Sequence, residues 1–459
     1  MEELKLAPTI RTYIENHMKE HKYKLQQFSE VTGVNVGTLS AIIKGNRSIS
    51  MNQLDQITSG MGLEQGYFYE MYSVECFVEA APHWRRLEPF LYNCAELNKL
   101  NCIKKVVIQV TDDRSYIDEL FKVAEDFYRK EFEQAALILY ECVAECEKYQ
   151  HSERLALCQY RIFLINKTLN KFNNLNAAIR LEPYVEKLNE EIQLDAIKEL
   201  ANVYNALNIW GKVYSLSEEL ERKSDFQLKD ESLRRNKGQR ATFYPIFTYK
   251  AYANLLKASV FEARKEYELA LKYTEVYEKV IDIPNPTKEE IEIIERFRIW
   301  AQGNRLSINL MSGNHEVIHS YLQYLEDNPK EILTAFINIV QVANEHSLNI
   351  DFALEKFEAQ IQQFHIDFHL KGEDNPQIGI HRFLLFNYEF AKYRLSQRNF
   401  QSGIDTLLYT LRLSSSSQDD YLTIKCIDLY GEYRDHADLE QQKVYFQLIE
   451  EISFQKLRV

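Results

Sequence analysis

One spacing recurs along most of this chain. A small residue is followed twelve positions later by a second compact one, then by a bulky residue four further on, then by another residue three beyond that. Ala124, Ala136, Tyr140 and Val143 form one such set; Ala201, Val213, Ser217 and Leu220 form a second. Ala251, Ala263, Tyr267 and Ala270 form a third, and Ala391, Gly403, Leu407 and Thr410 a fourth. The physical content is direct. Small residues let two antiparallel helices approach closely, and the bulky ones fill the space behind. The links between the helices are short, as at Arg129-Lys130-Glu131 and Gln397-Arg398-Asn399. Only 14 glycines and 9 prolines occur in 459 residues, which leaves few tight turns and argues against a many-stranded sheet. The expected fold class is all-α, with repeating helix pairs from about Tyr116 to the end.

The first seventy residues break this rhythm. Pro8 to about Lys22 reads as a helix with Ile10, Tyr13, Ile14 and His17 on one side, and Leu25 to Val31 as a second with Leu25, Phe28 and Val31 inward. Gly33 suits a left-handed helix end. Asn35 caps a third helix, Val36 to Lys44, whose inward residues are Val36, Leu39, Ile42 and Ile43, and Gly45 stops it. Ser50 caps a fourth, with Leu54, Ile57 and Met61 inward. Two glycines therefore bracket one short helix and set the angle at which it is presented.

Phe28-Ser29, Gly33-Val34, Leu39-Ser40 and Gly45 with Arg47 together resemble the Xre/Cro-type helix-turn-helix domain, whose second helix enters the major groove of DNA. The resemblance implies base contacts from Asn35, Thr38 and Ser40, and phosphate contacts from Lys44, Asn46 and Arg47. Lys24 stands where that family has serine or threonine, and the third helix carries no arginine or glutamine for paired base contacts. Residues 1–70 hold seven Lys and Arg against eight Asp and Glu, so one head should bind weakly and a dimer is required. The whole chain, at −13, is acidic for a nucleic-acid binder, so its DNA contact must be local. A stretch from 71 to 115, with Leu87, Phe90, Leu91, Cys94, Ala95 and Leu97 at helical spacing, reads as an ordered helical linker.

From 116 to 459 the spacing resembles degenerate tetratricopeptide repeats stacked as a right-handed α-solenoid, with the last helix, about Leu439 to Lys456, as a cap or dimerisation surface. That resemblance implies a groove lined by the first helix of each pair, with the residue after the first small position pointing into it. The frame gives Asn166, paired with Ala177, and Asn202; Asn205 lies one turn on, and looser frames add Asn309 and Asn338. Asparagine amides can hold an extended peptide backbone by donating and accepting together, and Glu345 on the same face favours a cationic peptide residue. Solvated polar residues on first helices are the alternative.

No GxxxxGK, GxGxxG, GxSxG or HExxH occurs, so no catalytic residue, metal site or cofactor is assigned. The pairs His17/His21 and His365/His369 lack a third ligand nearby and read as surface or core histidines. Seven cysteines, an odd number without CxxC, read as buried reduced thiols. The polar N-terminus and the lack of a long apolar run suggest neither signal peptide nor membrane span, hence a cytoplasmic location.

A Xre-type head on a tetratricopeptide-like body resembles the RRNPP family of peptide-pheromone-sensing regulators, in particular its NprR-like and phage AimR-like (arbitrium) receptors. The resemblance implies a homodimeric, non-enzymatic transcription regulator in a bacterial cytoplasm or, if phage-encoded, the host's. It would bind double-stranded operator DNA and a short signalling peptide. A Rap-like regulator or phosphatase that acts on a partner protein is the competing expectation.

Overall fold

The structure, a computed structural model, describes residues 8–78, 83–110, 116–150, 152–167, 171–234, 242–280, 283, 285–367, 376–417 and 419–456. The described residues are all-helical and contain no strand. They fall into two compact units. Unit 1 comprises residues 1–166 with 183–188, and unit 2 comprises 167–182 with 189–459. Unit 1 holds α1 (Ile10–Glu20), α2 (Leu25–Thr32), α3 (Val36–Ile43), α4 (Met51–Gly60), α5 (Tyr69–Ser73), α6 (Trp84–Glu96), α7 (Leu100–Val110), α8 (Ile117–Arg129), α9 (Glu133–Glu147) and α10 (Glu153–Ile165). Unit 2 holds α11 (Lys171–Leu181), α12 (Glu190–Ala206), α13 (Trp210–Arg234), α14 (Ile246–Ala263), α15 (Tyr267–Val280), α16 (Lys288–Met311), α17 (Ile318–Asp327), α18 (Ile332–His346), α19 (Asp351–Lys356), α20 (Glu358–Asp367), α21 (Pro376–Ser396), α22 (Phe400–Ser416), α23 (Asp420–Tyr433) and α24 (Leu439–Lys456).

In unit 1 the helix ends are set by local chemistry. Thr9 caps α1, Asn35 Oδ1 accepts from Gly37 N at 2.9 Å to cap α3, and Ser50 and Gln53 form a reciprocal capping box on α4. Gly33 ends α2 at φ +69°. Gly45 ends α3 at φ +79°; its N–H bonds to Ile42 O at 3.0 Å and that of Asn46 to Ala41 O at 2.9 Å, a Schellman arrangement only glycine enters without strain. Leu39, Ile42, Leu54, Ile57, Phe28, Ile10 and Ile14 are buried as expected. Val31 and Val36 are not: they are 47% and 36% exposed. On α2 the buried stripe runs through Phe28 and Thr32, and Val31 stands about a quarter-turn away from it.

The core under the head does not stop at residue 70. One apolar cluster runs from Ile10 through Phe68, Tyr72, Phe77 and Phe90 to Leu155 and Cys158. Polar ties cross the same seam. Ile10 N donates to Glu75 Oε1 at 2.7 Å, placing a carboxylate at the positive end of α1. Tyr72 Oη donates to Ile49 O at 2.7 Å, and Asp55 accepts from Tyr69 Oη at 2.9 Å and from Asn93 Nδ2 at 3.0 Å. Burial lifts the Asp55 carboxyl above its ordinary value despite those two bonds. Each fully buried aromatic here is worth on the order of 2–3 kcal/mol of transfer free energy, so α5 to α7 are as much a floor for the head as a connection from it.

Unit 2 is built of paired helices, each first helix packing on its own partner and on the next first helix: α12 on α14, α14 on α16, α16 on α18, α18 on α21. The small-residue spacing sits at these crossings. Ala201, Val213, Ser217 and Leu220 are all fully buried between α12 and α13, as are Ala124, Ala136, Tyr140 and Val143 between α8 and α9 in unit 1. Ala391, Gly403, Leu407 and Thr410 close the α21–α22 pair. A Cβ on Gly403 would lie 2.7 Å from Leu395 Cγ, so a larger residue would force Leu395 to move. The third set needs correction. Ala263 ends α14 and is exposed, so the crossing of α14 with α15 is made by Ala258, Ala270, Thr274 and Tyr277, seven positions on, all buried. Ala251 shares the α14 heptad with Ala258, so the sequence offers both registers.

Of the cysteines, Cys94, Cys102, Cys158 and Cys426 are buried thiols and Cys142 and Cys146 half-buried ones, none in a disulfide; the Cys76 side chain lies outside the described residues. No helix is long and apolar enough to cross a membrane among the described residues.

Candidate functional site

Two polar surfaces stand out, one in each unit. The first is the outward face of α3. With Leu39 and Ile42 buried, the helical rotation of 100° per residue centres the outward face on exposed Gly37 and half-buried Ala41. Thr38 and Ser40 are half-buried and lie on opposite flanks of that face. Asn35 sits at its start with Oδ1 committed to the cap, which turns the amide Nδ2 outward as the group left to contact anything else. Lys44, Asn46 and Arg47 are exposed together at its end, around the Gly45 turn. Sequence reasoning passed over Arg11. Its guanidinium packs beside Gly45, with Nη1 only 3.2 Å from where a Cβ would stand, so α1 adds a third cation to this end. The contact joins residues 34 positions apart in sequence, and nothing local announces it.

His17 and His21 stack at 4.2 Å between ring centres, and burial followed by the neighbouring His21 holds His17 below its ordinary value. The described residues contain no cluster of three or more metal-ligating side chains; His369 lies outside them.

The second surface is a stripe on the first helices of unit 2. Each of α12, α14 and α21 ends five residues after its buried small residue, Ala201, Ala258 or Ala391. Counting from that residue, Asp195, Lys198, Asn202 and Asn205 form one line on α12, and Tyr252, Ser259 and Glu262 its counterpart on α14. The lines are knitted across helices. Tyr252 Oη donates to Asn202 Oδ1, and Tyr249 Oη to Asp195 Oδ1. Lys198 Nζ lies 5.4 Å from the ring centres of both Tyr244 and Tyr252, and 3.0 Å from Glu199 Oε1. Lys167 pairs with the other oxygen of Glu199 at 2.6 Å. Further along, Ser307 Oγ on α16 donates to Glu262 Oε1 at 3.3 Å and accepts from Asn338 Nδ2 on α18 at 2.5 Å.

Electrostatics follow the geometry. Burial drives Asp195 upward against its hydrogen bonds from Tyr249 and Phe243 N. Burial also works to raise Glu199, but Lys198 and Lys167 outweigh it and hold the carboxylate below its ordinary value. Lys198 is held up by Glu199 against its own burial. Among the described residues no cation offsets the burial of Glu262; its hydrogen bond from Ser307 opposes the rise only in part, and the carboxyl is pushed up to about 7. Burial raises Tyr252 against the opposing positive charges of Lys198 and, more weakly, of Arg382 from α21.

The expected peptide-contacting residues divide on this map. Asn202, Asn205 and Asn338 lie on the stripe, and Glu345 stands exposed at the end of α18, 3.6 Å from Lys265 Nζ. Asn309 folds back on its own helix, donating to Arg305 O at 2.7 Å. Asn166 is the C-terminal cap of α10 in unit 1, past the last turn; the equivalent position there is Arg161, which grips Glu125 at 3.1 and 3.2 Å. Asp195, Lys198, Tyr252, Glu262 and Ser307 carry the network and were not singled out from sequence. The same count from Ala201 that gave Asn202 would have reached Lys198 and Asp195.

No protein-family model matches the sequence, and no curated protein matches it.

Proposed function

We propose that this chain is a ligand-switched, DNA-binding transcription regulator of the RRNPP kind. The head engages operator DNA, and the inner stripe of unit 2 holds a short signalling peptide. The observation that carries the proposal is the presentation of α3. Left-handed glycines bracket it, the centre of its outward face has almost no side-chain bulk, and three cations gather at one end. A helix face of this kind lies close against a groove floor. Asn35, Thr38 and Ser40 then reach base edges from its start and flanks, while Lys44, Asn46, Arg47 and Arg11 take phosphates. Few charges at the contact mean weak binding by one head, so two heads on a homodimer are required. Exposed Tyr421, Ile424, Leu439 and Phe446 on α23 and α24 supply apolar area for that pairing.

In this reading the helix pairs are tetratricopeptide-like repeats, and the stripe is the peptide site. Asn202 and Asn338 offer amides to a peptide backbone, and Glu262 and Glu345 take its cationic side chains. Operator binding places the protein in the cytoplasm.

Fluorescence anisotropy on promoter fragments, titrated in salt, tests the head. Lys44→Ala with Arg47→Ala is expected to weaken binding at least tenfold and to reduce the log–log salt slope by about two, roughly one for each phosphate left without its cation. Unchanged affinity and slope would refute the DNA assignment. Calorimetry of short peptides against Asn202→Ala tests the stripe, with a loss of about tenfold expected. Retained peptide binding with no DNA binding under any condition would instead favour the Rap-like reading, in which the partner is a protein.

A further inference from the structure

Unit 2 has a further concavity, of mixed polar and apolar lining, that the stripe does not use. A cavity of about 900 Å³ opens between α19 and α20 on one side and α22 on the other, floored by the second half of α21. Its α21 residues are Asn387, Phe390, Tyr393, Arg394 and Gln397. By helical rotation these lie on the face of α21 opposite Tyr388 and Lys392, the positions that continue the inner stripe. The cavity therefore belongs to the outer side of the helix pairs.

Two groups in it lack the partners their chemistry calls for. Arg394 is half-buried; its guanidinium stacks 4.1 Å from the centre of the Phe390 ring and donates to Ser402 Oγ, yet no carboxylate among the described residues pairs with it. Burial alone acts on it, and pulls it below its ordinary value. The stacked ring holds the planar fork in place, so it is preorganised for an anion. Asn387 is fully buried at the floor. Its Nδ2 donates to Phe383 O at 2.9 Å, and among the described residues its Oδ1 has no hydrogen-bond partner. An orphaned buried acceptor costs on the order of 1–3 kcal/mol, which a donor arriving with a ligand would recover. The surrounding rim is acidic, with Asp351, Glu355, Glu358 and Asp405. The wall is firm: Tyr393 Oη donates to Asp351 Oδ1 at 2.9 Å and accepts from Ile350 N at 3.1 Å.

The spacing of the two unsatisfied groups defines the ligand. They are seven residues apart on one helix, so their Cα atoms are separated by about 10 Å along the axis, and the guanidinium, folded back over Phe390, lies on the Asn387 side of its own Cα. The ligand must carry an anion at one end and an N–H donor within about 10 Å of it, with no net negative charge to oppose the rim. An extended peptide covers that distance in about three residues. We propose that this outer cavity binds the C-terminal three or four residues of an extended peptide, with its terminal carboxylate on Arg394 and a backbone N–H or the terminal ammonium directed to Asn387. The site is separate from the stripe and does not depend on its assignment.

The test is titration of the full chain with trialanine and with trialanine amide, followed by calorimetry or by chemical-shift change. The free acid is expected to bind saturably and at least tenfold more tightly than the amide. Arg394→Gln should abolish that preference, and Arg394→Lys should restore part of it. Asn202→Ala should leave it intact, which separates this site from the stripe. Thermal melts of each variant establish that the helices are retained. Equal binding of acid and amide, no saturable binding of either, or a preference that survives Arg394→Gln in a folded protein would each overturn the proposal.

Discussion

The outward face of α3 and the stripe that runs along α12 to α18 are both polar, but they are made in opposite ways. The α3 face is shaped by backbone: two left-handed glycines, an asparagine cap, and a centre occupied by Gly37 and Ala41. Its charged side chains stand in solvent and touch little of the protein. The stripe is shaped by side chains that hold one another, as in Tyr252 with Asn202 and Lys198, or Glu262 with Ser307 and Asn338. A surface of the first kind can change its side chains freely and keep its form. A surface of the second kind transmits a change at one residue to its neighbours.

The difference has consequences for stability that can be measured. The largest effect belongs to the packed networks of unit 2. Lys257 on α14 is 3% exposed and bridges Glu218 at 2.8 Å and Glu221 at 2.6 Å. Its own burial opposes the charge, and the two carboxylates override that and hold its pKa above the ordinary value. Lys257→Met removes both bridges, leaving Glu218 to solvent and Glu221 to the Asn254 amide, and denaturant titration should show a loss of about 2 kcal/mol. A loss below about 1 kcal/mol would mean that water replaces the lysine at little cost, and that the network is less coupled than its geometry.

Next in size is the pH response of Glu262. Its carboxyl titrates near 7 in the folded chain, against an ordinary 4.5. The folded state therefore holds the proton more tightly, and this contribution to stability is complete below pH 4.5 and is lost as pH rises through 7. Glu262→Gln cannot ionise and escapes the loss. Relative to wild type it should gain on the order of 1–2 kcal/mol between pH 5 and 8, less than the whole shift because the group is only half-buried. Parallel curves for the two proteins would remove Glu262 from the network.

Gly45→Ala probes the backbone-made face. The left-handed φ and the approach of Arg11 should together cost about 1–2 kcal/mol. DNA affinity should fall more than stability does, since the turn aims Lys44 and Arg47. The smallest effect is expected for Lys44→Ala with Arg47→Ala, within about 0.5 kcal/mol of wild type by melting. A larger loss would show that these residues support the fold, and would undercut their use as probes of DNA binding.

The parts of this fold legible in the sequence are those specified within a few residues. Gly33, Asn35, Gly45 and Ser50 mark helix ends through φ and capping chemistry that no distant contact alters. Close crossings such as Ala201 with Val213 are legible for a similar reason, because the short link fixes which residues meet. The α14–α15 register was not, since Ala251, Ala258 and Ala263 are all small and only packing chooses among them. The stripe was legible one residue at a time. Asn202 follows from its place after Ala201, but its partner Tyr252 is 50 positions away, and the pairing comes from helix stacking rather than from local pattern. Arg11 beside Gly45 and Glu75 at the start of α1 were hidden for the same reason.

That last bond bears on how the molecule can be taken apart. A polypeptide cut after residue 70 would keep the four small helices but lose the carboxylate at the first of them, the Tyr72 clamp on Ile49 and the aromatic floor of Phe77 and Phe90. Such a fragment should be poorly ordered and a weak reader of DNA, whereas one carried to residue 166 should hold its shape. Evolutionary exchange of heads between bodies, if it happens in proteins of this design, would have to move the two together.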